Sequence, residues 1–254
     1  MDYDKITSKL VSDLSNFLGY KKAIIGISGG IDSAVVAYLC EEAVDKSNIF
    51  AVTMPYGDQS TEDADLVARE LNLTYYKNIN IKPIVDEAMK SITVPYTGNN
   101  KLVNGNMRAR VRMLILYAFA GAMNGMVIGT SNKTELSLGY FTKFGDGGCD
   151  VEPIGDLYKT EIFELAKCLG IPFKLIDKAP SAELWEGQTD EGEIGMTYKE
   201  MDGILAGMDT HGIFYDRKSL IERYGENKVI VIEKRYNNSD HKRKMPKTFL
   251  ARGI

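Results

Sequence analysis

Short β-rich runs alternate with longer helical patterns through the first half of the chain, and this alternation constrains the fold more than any other feature. "KAIIGIS" (22–28) precedes a helix from about Asp32, "NIFAVTMP" (48–55) precedes a helical pattern over 60–72, and "LTYYKNI" (73–79) precedes one over 82–92. Such a rhythm predicts βαβ units, hence an α/β fold with an open, mostly parallel sheet and helices on both faces. A helix over residues 2–18 precedes the first strand, and Gly19 is placed to close it. Ser60 and Asp63 are spaced as a capping box, as are Asn132 and Glu135. A long helix from about Asn104 to Asn124 feeds the strand "GMVIGT" (125–130), so Thr130 falls at the carboxyl end of that strand. In open parallel sheets ligands bind along that edge. Beyond it lie a glycine-rich loop over 139–150, a helix near 158–169, a polar loop over 181–195 and further helical patterns ending in a basic tail.

The first strand ends in Ser28-Gly29-Gly30 and a helix follows directly. Bare backbone N–H groups at a positive helix end make a phosphate site, and Ser28 and Ser33 add hydroxyl donors. Asp32 would repel a phosphate unless a divalent cation lay between them. The alternative is structural: a glycine turn, with Asp32 complementing the helix dipole.

"SGGIDS" (28–33) resembles the pyrophosphate-binding loop of the ATP pyrophosphatase superfamily, and no Walker A pattern occurs in the chain. "GNMRARVRM" (105–113), "GTSNKTELSLGYFTKFGDGGCD" (129–150), "KAPSAELWEGQTDEGEIG" (178–195) and "HKRKMP" (241–246) follow in order. Together these motifs resemble the ammonia-dependent NAD synthetases over nearly the whole chain. The resemblance implies a Rossmann-like adenine nucleotide alpha hydrolase fold, with residues 1–254 as a single synthetase domain. It also implies a homodimer that uses Mg2+ and ATP to adenylate the nicotinate carboxylate of deamido-NAD, after which ammonia displaces AMP. With nearly all of the chain accounted for, no segment is left for a glutaminase, and ammonia is the expected direct nitrogen donor.

By the same resemblance Gly26, Ile27, Ser28, Gly29, Gly30, Ile31, Asp32 and Ser33 contact ATP, together with Thr130, Lys159 and Ser181; at Ser181 many family members have threonine. Asp32 and Glu135 are implied as Mg2+ ligands, although as pure structure Glu135 would only close the Asn132 capping box. Arg110, Lys143, Asp150, His241 and Lys242 are implied to bind deamido-NAD. Structural readings stand beside these. Lys159 would otherwise be a solvated residue at a helix start, and His241-Lys242 a solvated, disordered tail, whereas the resemblance implies that this tail orders when substrate binds. At ~100° per residue, Arg108 and Arg112 share one helix face while Arg110 falls on the opposite, apolar one with Met113, Leu114, Tyr117 and Gly121. That face is a candidate dimer contact.

A formal net charge of −4 argues against a generic nucleic-acid binder, despite the basic run His241–Lys244. The three cysteines form neither a zinc pattern nor a redox pair, and Cys40 and Cys168 fall in helical patterns as expected small hydrophobes. An acidic N-terminus and the absence of a bilayer-length apolar run point to a cytoplasmic protein without a membrane partner. Two rivals remain, a tRNA thiolase of the same superfamily and a non-catalytic adenine-nucleotide-binding module.

Overall fold

The computed structural model describes residues 1–92, 100–178, 190–209 and 216–249. In chain order the elements are α1 (Tyr3–Leu18), β1 (Lys22–Gly26), α2 (Ile31–Ala43), β2 (Ile49–Thr53), α3 (Glu62–Glu70), β3 (Tyr75–Asn78), α4 (Lys82–Ser91), α5 (Asn100–Met123), β4 (Gly125–Ile128), α6 (Lys133–Leu138), α7 (Lys159–Cys168), α8 (Phe173–Ile176), α9 (Asp190–Ile194), α10 (Tyr198–Asp209), α11 (Arg217–Tyr224) and α12 (Glu226–Asn238). Among the described residues the four strands are all parallel, in the order β3-β2-β1-β4. Chain direction across the sheet therefore reverses at β1, which opens a crevice at the carboxyl ends of β1 and β4.

Alternation along the strands feeds two apolar layers. Ala23, Ile25, Ile49, Ala51 and Ile128 face α1, α2, α7 and α8, whereas Ile24, Phe50, Val52 and Val127 face α4 and α5. A third cluster, built on Met201, Ile204, Val229 and Ile232, joins α6 to α9–α12. It reaches the sheet layers where α10 packs on α6 and α7. Among the described residues, no helix is long and apolar enough to cross a membrane.

Local signals account for several boundaries. Gly19 closes α1 at φ 55°, its N–H on the Ser15 carbonyl. The expected Ser60–Asp63 capping box is not formed. Thr61 sits at the N-cap of α3, and Asp63 turns instead to Lys174 at 2.9 Å and Lys178 at 3.0 Å. Two cations offered by the α8 region outcompete a single backbone N–H. Cys40 is buried as expected, but Cys168 is exposed at the end of α7, its Sγ 3.1 Å from Asp4 Oδ1. Helical spacing places it in α7 without saying that the last turn leaves the core.

Candidate active site

The loop joining β1 to α2 is shaped by Gly29, at φ +86°, where an added Cβ would lie 2.9 Å from the Asp63 Cβ. No side chain fits that turn. Ser33 Oγ donates to the Gly30 carbonyl at 2.9 Å, and Ser28 Oγ lies 3.1 Å from Ser33 Oγ, so the hydroxyls brace the loop. No side chain caps α2, whose first intrahelical bond runs from Ala34 N–H to the Gly30 carbonyl. The first-turn N–H groups of this 13-residue helix therefore have no helical partner, and Ile31, Asp32 and Ser33 line a cavity of about 690 Å³.

The second wall comes from the end of β4. Asn132 caps α6 by accepting Glu135 N–H at 3.0 Å, and Glu135 Oε2 accepts Asn132 N–H at 3.1 Å. The capping box is thus real, yet it occupies only one oxygen of Glu135. The other, Oε1, lies 3.9 Å from Lys159 Nζ. Asn132 also donates from Nδ2 to Asp32 Oδ1 at 2.9 Å. Lys159, far from solvated, is 2% exposed and hydrogen-bonded to Asp32 Oδ2. Cap and cavity wall are therefore compatible roles for Glu135.

Electrostatics follow from this packing. Burial alone would lower the pKa of Lys159, but the charges of Asp32 and then Glu135 outweigh it and hold the ammonium above its ordinary range. Burial, followed by the charge of Asp32, raises the Glu135 carboxyl well above the usual carboxylate range. Two carboxylates and one ammonium beside an uncapped helix start can hold a polyphosphate and a cation together.

Of the residues expected to bind deamido-NAD, Arg110, Lys143, His241 and Lys242 come together on one flank, and Asp150 lies against β4 and Tyr117. Arg110 Nη2 donates to the Lys143 carbonyl at 3.4 Å, and Lys143 Nζ donates to the His241 carbonyl. Lys242 donates to the carbonyls of Gly139 and Phe141 at 2.7 and 2.6 Å, and of the five it alone lines the cavity. Asp150 accepts Val127 N–H at 2.7 Å and the Tyr117 hydroxyl at 3.2 Å. The His241 carbonyl and the Lys242 ammonium are thus held by protein contacts rather than left as a loose tail. Thr130 lines the cavity, and Ser181 lies outside the described residues.

The arginines of α5 require a correction. Arg110 lies on the exposed side with Leu114 (61% exposed), whereas Arg112 Nε donates to the Met54 carbonyl at 3.0 Å and Arg108 stacks 3.6 Å above the Tyr56 ring. Apolar residues occur all round α5, so periodicity could not tell which side meets the sheet. Asp190, to which no motif assigned a role, also lines the cavity and accepts the Tyr198 hydroxyl at 2.6 Å. Its only signal was the acidic run within the segment read as a polar loop.

The NAD synthase family model matches residues 3–246. The chain belongs to the NAD synthase family. An NH(3)-dependent NAD(+) synthetase of Pyrococcus furiosus is 42% identical over 247 residues, covering 97% of this chain and 94% of the relative. Among solved structures, an NH3-dependent NAD synthetase from Campylobacter jejuni superposes with a TM-score of 0.82 at 34% identity, covering 98% of this chain and all of that one. An NMN synthetase from Francisella tularensis also gives 0.82, at 36% identity and 98% coverage of both chains. As a member of the NAD synthase family the chain is a ligase, and the matched α/β architecture is that of NAD synthetases.

Proposed function

We propose that the cavity holds ATP along residues 26–33 with Thr130, Lys159 and Ser181, and deamido-NAD against the flank of Arg110, Lys143, Asp150, His241 and Lys242. The reaction is the ATP-dependent amidation of deamido-NAD by ammonia. The nicotinate carboxylate attacks the α-phosphorus, and the bond to the bridging oxygen breaks as pyrophosphate leaves. Ammonia then adds to the acyl carbon and AMP departs, the amine losing a proton to solvent. Lys159 and the first-turn N–H groups of α2 orient the phosphates and stabilise charge developing on the leaving group. The observation that carries this reading is the convergence of Asp32 and Glu135 on Lys159 beside that helix start.

The donor set fits Mg2+. Asp32 and Glu135 offer hard oxygen donors beside the start of α2 and would hold the ion together with phosphate oxygens. Among the described residues no group of three or more candidate ligand side chains is gathered, so the ion would arrive with the nucleotide. When bound, it would neutralise the phosphates and polarise the α-phosphorus.

Residues 1–254 are read as one domain, supported by the span of the family match and the packing of α10 on α6 and α7. The homodimer is part of the proposal, supported by the exposed Leu114 and Tyr117 on α5. A cytoplasmic location belongs with it, as does the absence of nucleic-acid and membrane partners.

The test is incubation with ATP, Mg2+, ammonium and deamido-NAD. NAD and AMP in equal amounts are expected, whereas ADP or no turnover overturns the reading. A parallel arm with the deamido mononucleotide should turn over more slowly, and preference for it would move the substrate to the NMN synthetase type.

A further inference from the structure

We infer that Thr134 and Asp202 are positioning residues: one hydroxyl and one carboxylate, neither on the cavity wall, lock together the helix starts that carry Glu135 and Lys159. The inference rests on the proposed ATP site and asks what sets its geometry. Thr134 stands in the first turn of α6 beside Glu135, and Lys159 opens α7. Thr134 Oγ1 accepts the backbone N–H of Lys159 at 3.0 Å and donates to Asp202 Oδ1 at 2.5 Å. Asp202 Oδ2 accepts the backbone N–H of Thr160 at 2.9 Å.

A hydroxyl has one proton, and here it goes to Asp202, leaving a lone pair for Lys159 N–H. The bridge therefore has a single orientation. Asp202 itself cannot drift, because Met201, Ile204 and Leu205 around it on α10 are buried in the helical layer. Thr134 is fully buried and Asp202 is 5% exposed. A carboxylate that dry has a pKa raised by burial, and its charge is tolerable because it meets two orphan helix-start donors, one directly and one through Thr134. A simple cap serves one helix, whereas this group serves two. What the two helices hold in common is the 3.9 Å approach of Glu135 to Lys159.

The bridge thus acts through other residues, as the outer partners of a ligand site do. Thr134→Val keeps the shape and deletes both hydrogen bonds, and Thr134→Ser restores them. In the full chain Thr134→Val should lower kcat and raise the KM for ATP, each about tenfold, as removal of outer-shell partners typically does. The KM for deamido-NAD should stay within about twofold. Thr134→Ser should return both ATP parameters to near their original values. Asp202→Asn should show the same split, and if it fails to fold, the threonine pair decides alone.

A uniform loss across both substrates that follows Tm would make the bridge merely structural and overturn the inference. So would unchanged ATP kinetics in Thr134→Val. Glu135→Gln and Lys159→Met are run alongside. If those two retain activity, the site reading falls and the inference with it. If they lose activity while Thr134→Val does not, only the inference falls.

Discussion

Asn132 Nδ2 donates to Asp32 Oδ1 at 2.9 Å, linking positions 100 residues apart, while the other end of the same amide caps the helix that carries Glu135. Asn132→Asp separates the two tasks. Aspartate caps as well as asparagine, so the helix start should persist, although a carboxylate buried beside Asp32 should itself lower the Tm. Asp32, however, exchanges a donor for a like charge, and kcat/KM for ATP should fall roughly 10–100-fold. Steady-state kinetics with a melting curve check this, and full activity in Asn132→Asp would release Asp32 from its partner.

Replacing Lys159 by methionine leaves Asp32 and Glu135 facing each other, 15% and 18% exposed, with no counter-ion between them. Breaking such a pair should cost about 3 kcal/mol near neutral pH. Mg2+ added without nucleotide should then raise the Tm of Lys159→Met more than that of the parent chain, whose ammonium already fills the gap. Equal metal shifts in both proteins would refute the placement of the ion between these carboxylates.

Glu152 supplies a pH test. It accepts Ser131 N–H at 2.9 Å and the Cys149 thiol at 3.2 Å, and burial pushes its carboxyl up to about 7. The unfolded group ionises near ~4.3. The folded chain therefore holds an extra proton between these values, so this contribution is intact below the lower one and lost as pH rises through the upper one. A difference of that size corresponds to about 4 kcal/mol at most. Glu152→Gln should gain nothing over the parent at pH 4, gain progressively towards pH 8, and level off beyond it. Melting curves at three pH values measure the gain, and a constant difference would contradict the sign.

Arg110 and Arg112 should separate by phenotype. Arg110→Lys loses the planar fork on the exposed flank and should raise the KM for deamido-NAD while sparing that for ATP. Arg112→Lys disturbs the bond to the Met54 carbonyl on the cavity wall, so melting temperature and ATP kinetics should shift together. A uniform loss of both substrates in Arg110→Lys would remove it from the proposed site.

The strand-to-helix turn at Gly29 was legible in the sequence because it depends on local chemistry: a turn without room for a side chain, hydroxyls within bonding range, and a helix start. Asn132 and Glu135 were legible for the same reason. Asp63 was not, since its choice of Lys174 and Lys178 over the helix start depends on where the α8 region lands. Nor could one chain of letters orient α5, whose apolar residues surround it, or show that Asp190 and Asp202 on the helical layer turn inward to the sheet edge. Those placements depend on packing between layers, which spacing along one element does not encode.

The pairing of β1 with β4, Ile25 opposite Ile128, also has a kinetic consequence. Among the described residues every other strand partnership joins sequence neighbours, whereas this one must close a loop containing β2, β3 and the four helices α2 to α5. Contacts of such span are slow to form, because the chain entropy is lost before they stabilise anything. The cavity proposed to hold ATP is lined from both strands, Gly26 on one side and Val127 and Ile128 on the other, and should accordingly be a late product of folding. A refolding chain should recover strand and helix signal first and nucleotide affinity last, so a fluorescent ATP analogue would time the closing of the sheet.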